Sequence, residues 1–421
     1  MARAYTPKDA YSIMNLLVKE ATGQQTISVV DTSSFVSAGE TVLSTGVENT
    51  INALSVIVGR TLISVRPYKA KLNIINALNT DAFTNRVRKI SYYSRENEVS
   101  GDWNTDVKTN FKTGYDNGSN NGQSTASMWE QNLPVALEMN FCGQNVCETS
   151  TTILENQLKV AFTDESSFME FMSGCMTEKA NDIERTKEAY NRMTLLNHIA
   201  AVCDIDSTIN AGQVINLTKA FNDRFGTSYT SEELRTTHLA DFLKFFVAQF
   251  KLTSNYMTNS SARYHWSPKK EIDGVNYTLL RHTPKDKQRC ILYNPLFTES
   301  EANVFPEIFN PSYLDLNTQY EGVDFWQSIE SPSAIDITPS IPDVAGTNGG
   351  AQTTGTEVSI PYVVGIIYDD DAIKTNFQFE TAETTPLEAR KRYRNIFWHW
   401  SKNSINDFTE NCVVFIMKDA E

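Results

Sequence analysis

Three stretches near the end of the chain decide how it is read: Pro361-Tyr-Val-Val-Gly-Ile-Ile-Tyr-Asp-Asp-Asp-Ala-Ile373, then Thr384-Thr-Pro-Leu-Glu-Ala-Arg-Lys-Arg-Tyr-Arg-Asn-Ile-Phe-Trp-His-Trp400, then Asn406-Asp-Phe-Thr-Glu-Asn-Cys-Val-Val-Phe-Ile-Met417. The apolar runs 362–368 and 412–417 are short and rich in β-branched residues. Such runs read as strands buried on both faces. Between them, Thr385-Pro-Leu-Glu388 has the form of a capping box with proline at the first helical position, which predicts a short helix over 386–392. The aromatic segment after it predicts a strand over 393–401.

Working outward, residues 231–360 read as one α+β domain inserted before these closing strands. Thr230-Ser-Glu-Glu233 is a capping box opening an amphipathic helix to about Lys251, with Leu239, Phe242, Phe246, Val247 and Phe250 inward. Thr347 to Thr356 reads as a flexible loop. Upstream, Ser167-Phe-Met-Glu170 predicts the start of a long helix reaching about Val202. Its stripe is Phe168, Met172, Met176, Ala180, Ile183, Tyr190 and Met193. Near the N-terminus, Ala10, Met14, Leu17 and Val18 predict a helix over 8–21. The small polar residues from Thr22 to Glu40 suit an extended arm, and 41–66 a helix followed by a strand.

The basic, β-prone segment 86–95 and the period-two segment Val135 to Phe141 read as two strands. The polar excursion between them, 96–132, carries four glycines and seven asparagines. An isolated two-stranded ribbon is marginal in water, so its apolar face must rest on its own domain or on a neighbouring subunit.

The order of the closing pieces resembles that of tailed-bacteriophage major capsid proteins, above all the shells of small short-tailed phages. The resemblance implies an α+β fold of the Hong Kong 97 type. Its parts would be an N-terminal arm and first peripheral segment (1–80), an extended β-loop with its return (81–160), a spine helix (161–230), an axial domain (231–360) and closing strands of the peripheral domain (361–421). It implies a shell protein that self-assembles into pentamers and hexamers of an icosahedral-type head around the phage genome, assembled in the host cytoplasm and resident in the virion. The implied partners are many copies of itself, a separate scaffolding protein and a portal. DNA would be enclosed without sequence-specific binding. A separate scaffold is expected because only about 85 residues precede the loop, and an appended surface domain is not expected after the last strand.

Composition fits that expectation. A net charge of −14 disfavours a surface that grips nucleic acid. No signal peptide or membrane-length apolar run is apparent. Between Arg289 and Lys374 there is no lysine or arginine but thirteen acidic residues, a solvated face or a surface for a basic neighbour. The six cysteines read as free thiols.

No catalytic, metal or cofactor site is expected. The five histidines lack metal-ligand spacing, and no phosphate loop or nucleophile elbow occurs. Asp369, Asp370 and Asp371 could bind a cation, or could end a strand and face solvent. Candidate inter-subunit contacts are Trp103, Tyr115 and Trp129 in the loop and Arg390, Arg392 and Arg394 in the aromatic-basic segment. The arginines could instead pair with carboxylates of this or a neighbouring chain. Trp103, Tyr115 and Trp129 also leave open a receptor- or glycan-binding module, and Asp369 to Asp371 a hydrolase.

Overall fold

The computed structural model describes residues 7–23, 28–45, 49–50, 53, 69–75, 86–94, 134–142, 145–154, 161, 165–268, 270–272, 275–296, 320–343 and 352–419. Two apolar cores organise them.

The smaller core starts at the N-terminus. Helix α1 (Pro7–Thr22) buries Ile13, Met14, Leu17 and Val18, a single helical stripe. Gly23, at φ +73°, ends it with an N–H donated to the Lys19 carbonyl at 2.9 Å. The arm expected over 22–40 is instead largely helix α2 (Thr32–Ser44). Asp31 and Ser34 form its capping box, and Phe35, Ala38 and Val42 bury at helical spacing. The small polar residues masked that stripe. Of the pattern expected over 41–66, the segment from 54 on lies outside the described residues.

Strands β1 (Arg86–Tyr92) and β2 (Ala136–Cys142) pair antiparallel, Arg86 opposite Cys142 and Tyr92 opposite Ala136. The 96–132 excursion lies outside the described residues. A third strand, β3 (Asn145–Leu154), follows.

The long helix α3 (Glu165–Ile209) exceeds its expectation at both ends. It begins before Ser167, so Ser167 is not its cap. At about 1.5 Å per residue it spans roughly 67 Å. Phe168, Ile183 and Tyr190 are buried as expected, whereas Met193 is 57% exposed. Its second half is buried on most sides: Leu195, Leu196, Ile199, Ala200, Ala201, Val202 and Ile205 are buried, with the polar Asn191, Thr194, His198 and Asp204 among them. Its charged middle holds the chain at 69–75: the Glu184 carboxylate accepts the Ala70 N–H at 2.9 Å and Glu188 the Lys71 N–H at 3.1 Å.

After β4 (Val214–Asn216) and α4 (Leu217–Phe225), the single helix expected from Ser231 is split into α5 (Ser231–Arg235) and α6 (Leu239–Met257). The Thr230–Glu233 capping box is present. The break falls at Thr236-Thr-His238, weak helix formers, where the His238 ring stacks on Tyr229 at 4.1 Å. Leu239, Phe242, Phe246 and Phe250 are buried and Val247 packs beside them.

Short strands follow: β5 (Lys270–Ile272) with β6 (Val275–Tyr277), then β7 (Gln288–Tyr293), β8 (Tyr320–Val323), β9 (Ile335–Ile337), β10 (Ser340–Pro342), β11 (Gln352–Thr354) and β12 (Val358–Ile360). Part of the expected 347–356 loop is therefore strand, since β11 pairs with β10.

The closing segments supply β13 (Val363–Asp369), β14 (Ile373–Thr384), β15 (Tyr393–Asn406) and β16 (Cys412–Ile416). The larger core surrounds a five-stranded sheet ordered β4-β16-β13-β7-β8, and every residue of β13 is buried. The boundary expected at 360/361 runs through this sheet, because β13 pairs with β7 as well as β16. Gly365 makes that packing possible: a Cβ there would lie 2.3 Å from Leu292 Cδ2 and 2.9 Å from the Ile291 carbonyl.

Strands β14, β15 and β3 form a second sheet, which covers the smaller core with Ile153, Ile396 and Trp398. No helix forms over 386–392. Glu388 pairs with Tyr393 across the hairpin, leaving room between them for a single turn, closed by the Arg392 N–H on the Glu388 carbonyl at 2.8 Å. Arg392 takes φ +53° to re-enter β15.

Candidate assembly site

The turn Asn406 to Asn411, polar in sequence, is a buried hub. Asp407, Phe408, Thr409, Glu410 and Asn411 are all buried, and each has a task. One Asp407 oxygen accepts the Thr409 N–H at 2.9 Å and the Thr409 hydroxyl at 2.7 Å, an Asx turn that shapes the reversal. Phe408 stacks on His198 of α3. Asn411 donates to the Thr283 hydroxyl at 3.1 Å and, through its carbonyl, accepts the Asp369 N–H at 2.9 Å. His265 reaches the Asn411 side chain at 3.2 Å and the Leu279 carbonyl at 2.8 Å.

The hub also holds the base of the β1–β2 hairpin. Lys89 on β1 donates to Asp407 and Glu410 together. Arg281 completes the cluster: it pairs with Glu410 at 3.2 Å and donates to the Thr409 carbonyl at 3.0 Å and the Ser91 hydroxyl at 2.6 Å. Ser94 adds a backbone bridge to Thr278. Burial works against the Lys89 charge, yet the two carboxylates outweigh it and hold the ammonium above its usual range. Burial pushes the Glu410 carboxyl up against the pull of Lys89 and Arg281. Two cations facing two carboxylates satisfy charges that would be costly to bury singly.

The polarity of β1 is inverted. Its polar Lys89 and Ser91 turn toward the body, while Ile90 and Tyr92 are 47% and 64% exposed. Among the described residues the hairpin has no third strand. It is fixed to the body through β1 and carries Ile90 and Tyr92 on an outer face that also holds the Arg88–Glu138 ion pair at 2.9 Å.

Trp103, Tyr115 and Trp129 lie outside the described residues. Arg390 and Arg392 are exposed at the tip of the β14–β15 hairpin, but Arg394 is buried two residues into β15 and donates to the Thr385 carbonyl at 3.0 Å. The structure therefore brings two of the three arginines to one surface. The aspartates do not share a solvent-facing site. Asp369 is buried and accepts from the Thr283 hydroxyl at 2.7 Å and the Asp371 N–H at 2.9 Å. Burial raises its pKa against those bonds. Asp370 pairs with Arg289 at 3.0 Å, and Asp371 with Lys374 at 2.6 Å. β13 ends inside the fold, so of the three only Asp371 is largely open to solvent. No cluster of three or more His, Cys, Asp or Glu suited to a metal occurs among the described residues. Among them, no helix is long and apolar enough to cross a membrane.

Sequence reasoning missed the hub. Its signals were two acidic residues directly before a fully apolar strand and a lysine on the inward register of β1.

The family model for the Phi29-like phage major capsid protein matches residues 14–416. The chain belongs to that family. It is therefore a shell protein of a phage virion, built to act in many copies, and the receptor- or glycan-binding alternative gives way. The solved capsid structure of Staphylococcus phage Andhra shares the fold, with a TM-score of 0.51 at 10% identity over 84% of this chain and 85% of that one. A structure of head fiber and inner core protein of bacteriophage P68 gives 0.48 at 10% identity over 85% and 87%. The cyanophage P-SCSP1u capsid gives 0.39 at 10% identity over 86% and 91%. No curated protein matches the chain.

Proposed function

We propose that copies of this capsid protein close into pentamers and hexamers of an icosahedral-type head around the packaged genome, each laying its β1–β2 hairpin over an adjacent subunit. The inverted polarity of β1 carries this reading. A ribbon that spends Lys89 and Ser91 on its own body, and turns Ile90 and Tyr92 outward, gains by burying that face on a neighbour. Multivalency does the rest, since closure makes each later contact effectively intramolecular.

In this reading the peripheral unit is α1, α2, the first half of α3 and the β14-β15-β3 sheet. The axial unit gathers around the five-stranded sheet, which takes β13 and β16 away from the peripheral share first expected. A separate scaffolding protein and a portal complete the assembly in the host cytoplasm, and DNA is enclosed without sequence reading or catalysis by this chain. Replacing 96–132 by a short turn tests the arm: the variant should fold and bind scaffold yet form no closed shells. Normal shells from it would overturn the reading.

A further inference from the structure

Beyond the hairpin arm, the chain carries two surfaces of opposite charge. The first is the tip of the β14–β15 hairpin. The two longest strands among the described residues, Ile373–Thr384 and Tyr393–Asn406, present Arg390 and Lys391 side by side at their connection. Both side chains are exposed and neither is in an ion pair among the described residues, while the Lys391 backbone N–H is held by the Glu388 carboxylate of the same turn. Leu387, 38% exposed, adds an apolar group to the same turn.

The second surface lies in the stretch that holds thirteen acids and no base. Gln327 closes the loop before β9, its side chain accepting the Asp336 N–H at 2.7 Å and donating to the Asp336 carbonyl at 3.0 Å. Ile329 and Glu330 sit on that loop, Ile329 77% exposed. Register places Ser359 of β12 opposite Asp336, so Glu357, two residues earlier, falls on the same face as Asp336. Glu330, Asp336 and Glu357 are exposed, and their carboxylates have no cation partner among the described residues. Asp324, the nearby exception, is already paired with Lys71.

We propose that the β14–β15 tip of one copy docks Arg390 and Lys391 onto the Glu330, Asp336 and Glu357 carboxylates of a second copy, with Leu387 meeting Ile329. The two surfaces are complementary. Each surface joins unpaired charge of one sign to an exposed aliphatic side chain, and the two are matched. A chain of net charge −14 repels its own copies, so association gains most where its few unpaired cations meet its unpaired acids. Two different patches of one chain in contact make a heterologous interface, the kind that generates rings and closed arrays rather than isolated dimers. The inference rests on the shell reading and names one contact within it.

The test is a charge swap. R390E/K391E reverses the tip, E330K/D336K/E357K reverses the face, and a fifth-order combination carries both. All are exposed positions, and far-ultraviolet circular dichroism checks that each variant folds. Each reversal alone should raise the protein concentration needed for half-assembly by roughly tenfold or more, because repulsion replaces attraction at every copy. The combined variant should return to within about threefold of the original chain. Rescue cannot arise from misfolding. If either reversal assembles normally, or the combination stays defective, the contact is wrong while the shell reading stands. A wild-type chain that forms no rings or particles, even with scaffold, would instead sink the shell reading and this contact with it.

Discussion

The ring of His198 lies almost flat on that of Phe408, centroids 4.9 Å apart and planes 15° apart. The pair joins the long helix α3 to the turn that also grips the hairpin base. His198 is fully buried, and neither ring nitrogen has a hydrogen-bond partner among the described residues. Burial drives its pKa down to about 4, with the Asp407 charge opposing.

That depression sets a direction for acid sensitivity. A folded pKa of about 4 against an ordinary 6.5 gives stability that is present above pH 6.5 and lost as pH falls through 4. The loss amounts to about 3 kcal/mol by pH 4. Glu410 and Asp369, both raised by burial, act oppositely, because their protonated forms suit the fold. His198→Phe keeps the stack and removes the titration. Urea unfolding at pH 7, 5.5 and 4 should show a shallower decline for this variant, and an unchanged slope would contradict the assignment.

Removing Lys89 should loosen the hairpin rather than the body. Lys89→Ala leaves Asp407 buried without its cation, at a cost of about 3–5 kcal/mol. Hydrogen exchange should then accelerate at amides of 86–92 and 136–142, while β13 and β16 keep their protection. Uniform acceleration, or none, would count against a clamp local to the hairpin. Above pH 10.5 the wild-type clamp should weaken too: the raised Lys89 pKa gives stability that is lost as pH rises through its folded value.

Gly365→Ala probes the sheet that joins the closing strands to β7. The added methyl meets the Ile291 backbone carbonyl, which cannot rotate away, so a cost of about 1–3 kcal/mol is expected in unfolding experiments. A neutral substitution would show that β7 and β13 lie farther apart than described.

Local pattern made much of this legible. The β-branched run of β13, the alternation of β2 and the helical stripes of α1 and α6 are written into adjacent residues. Long-range pairings were not. Nothing near Cys290 announces that it faces Ile367, and Thr- and Ser-rich β3 lacks an apolar signal because it lies on the sheet's outer edge. The helix expected at 386–392 had a sound local start in Thr385-Pro386, but strand pairing on both sides overrode it. Of the candidate contacts, Arg390 and Arg392 lie exposed at the tip of the β14–β15 hairpin. Arg394, inside β15 rather than in the turn, is buried. The hub stayed hidden because Asp407 and Glu410 look like solvent-facing turn residues until Lys89, more than three hundred positions away, is brought beside them.

The most direct test of the central claim is sedimentation velocity of the purified protein at rising concentration, alone and with its scaffold, followed by electron microscopy of any fast-moving species. The account predicts rings of five or six subunits, or hollow shells. A species that stays monomeric or trimeric under both conditions would contradict it.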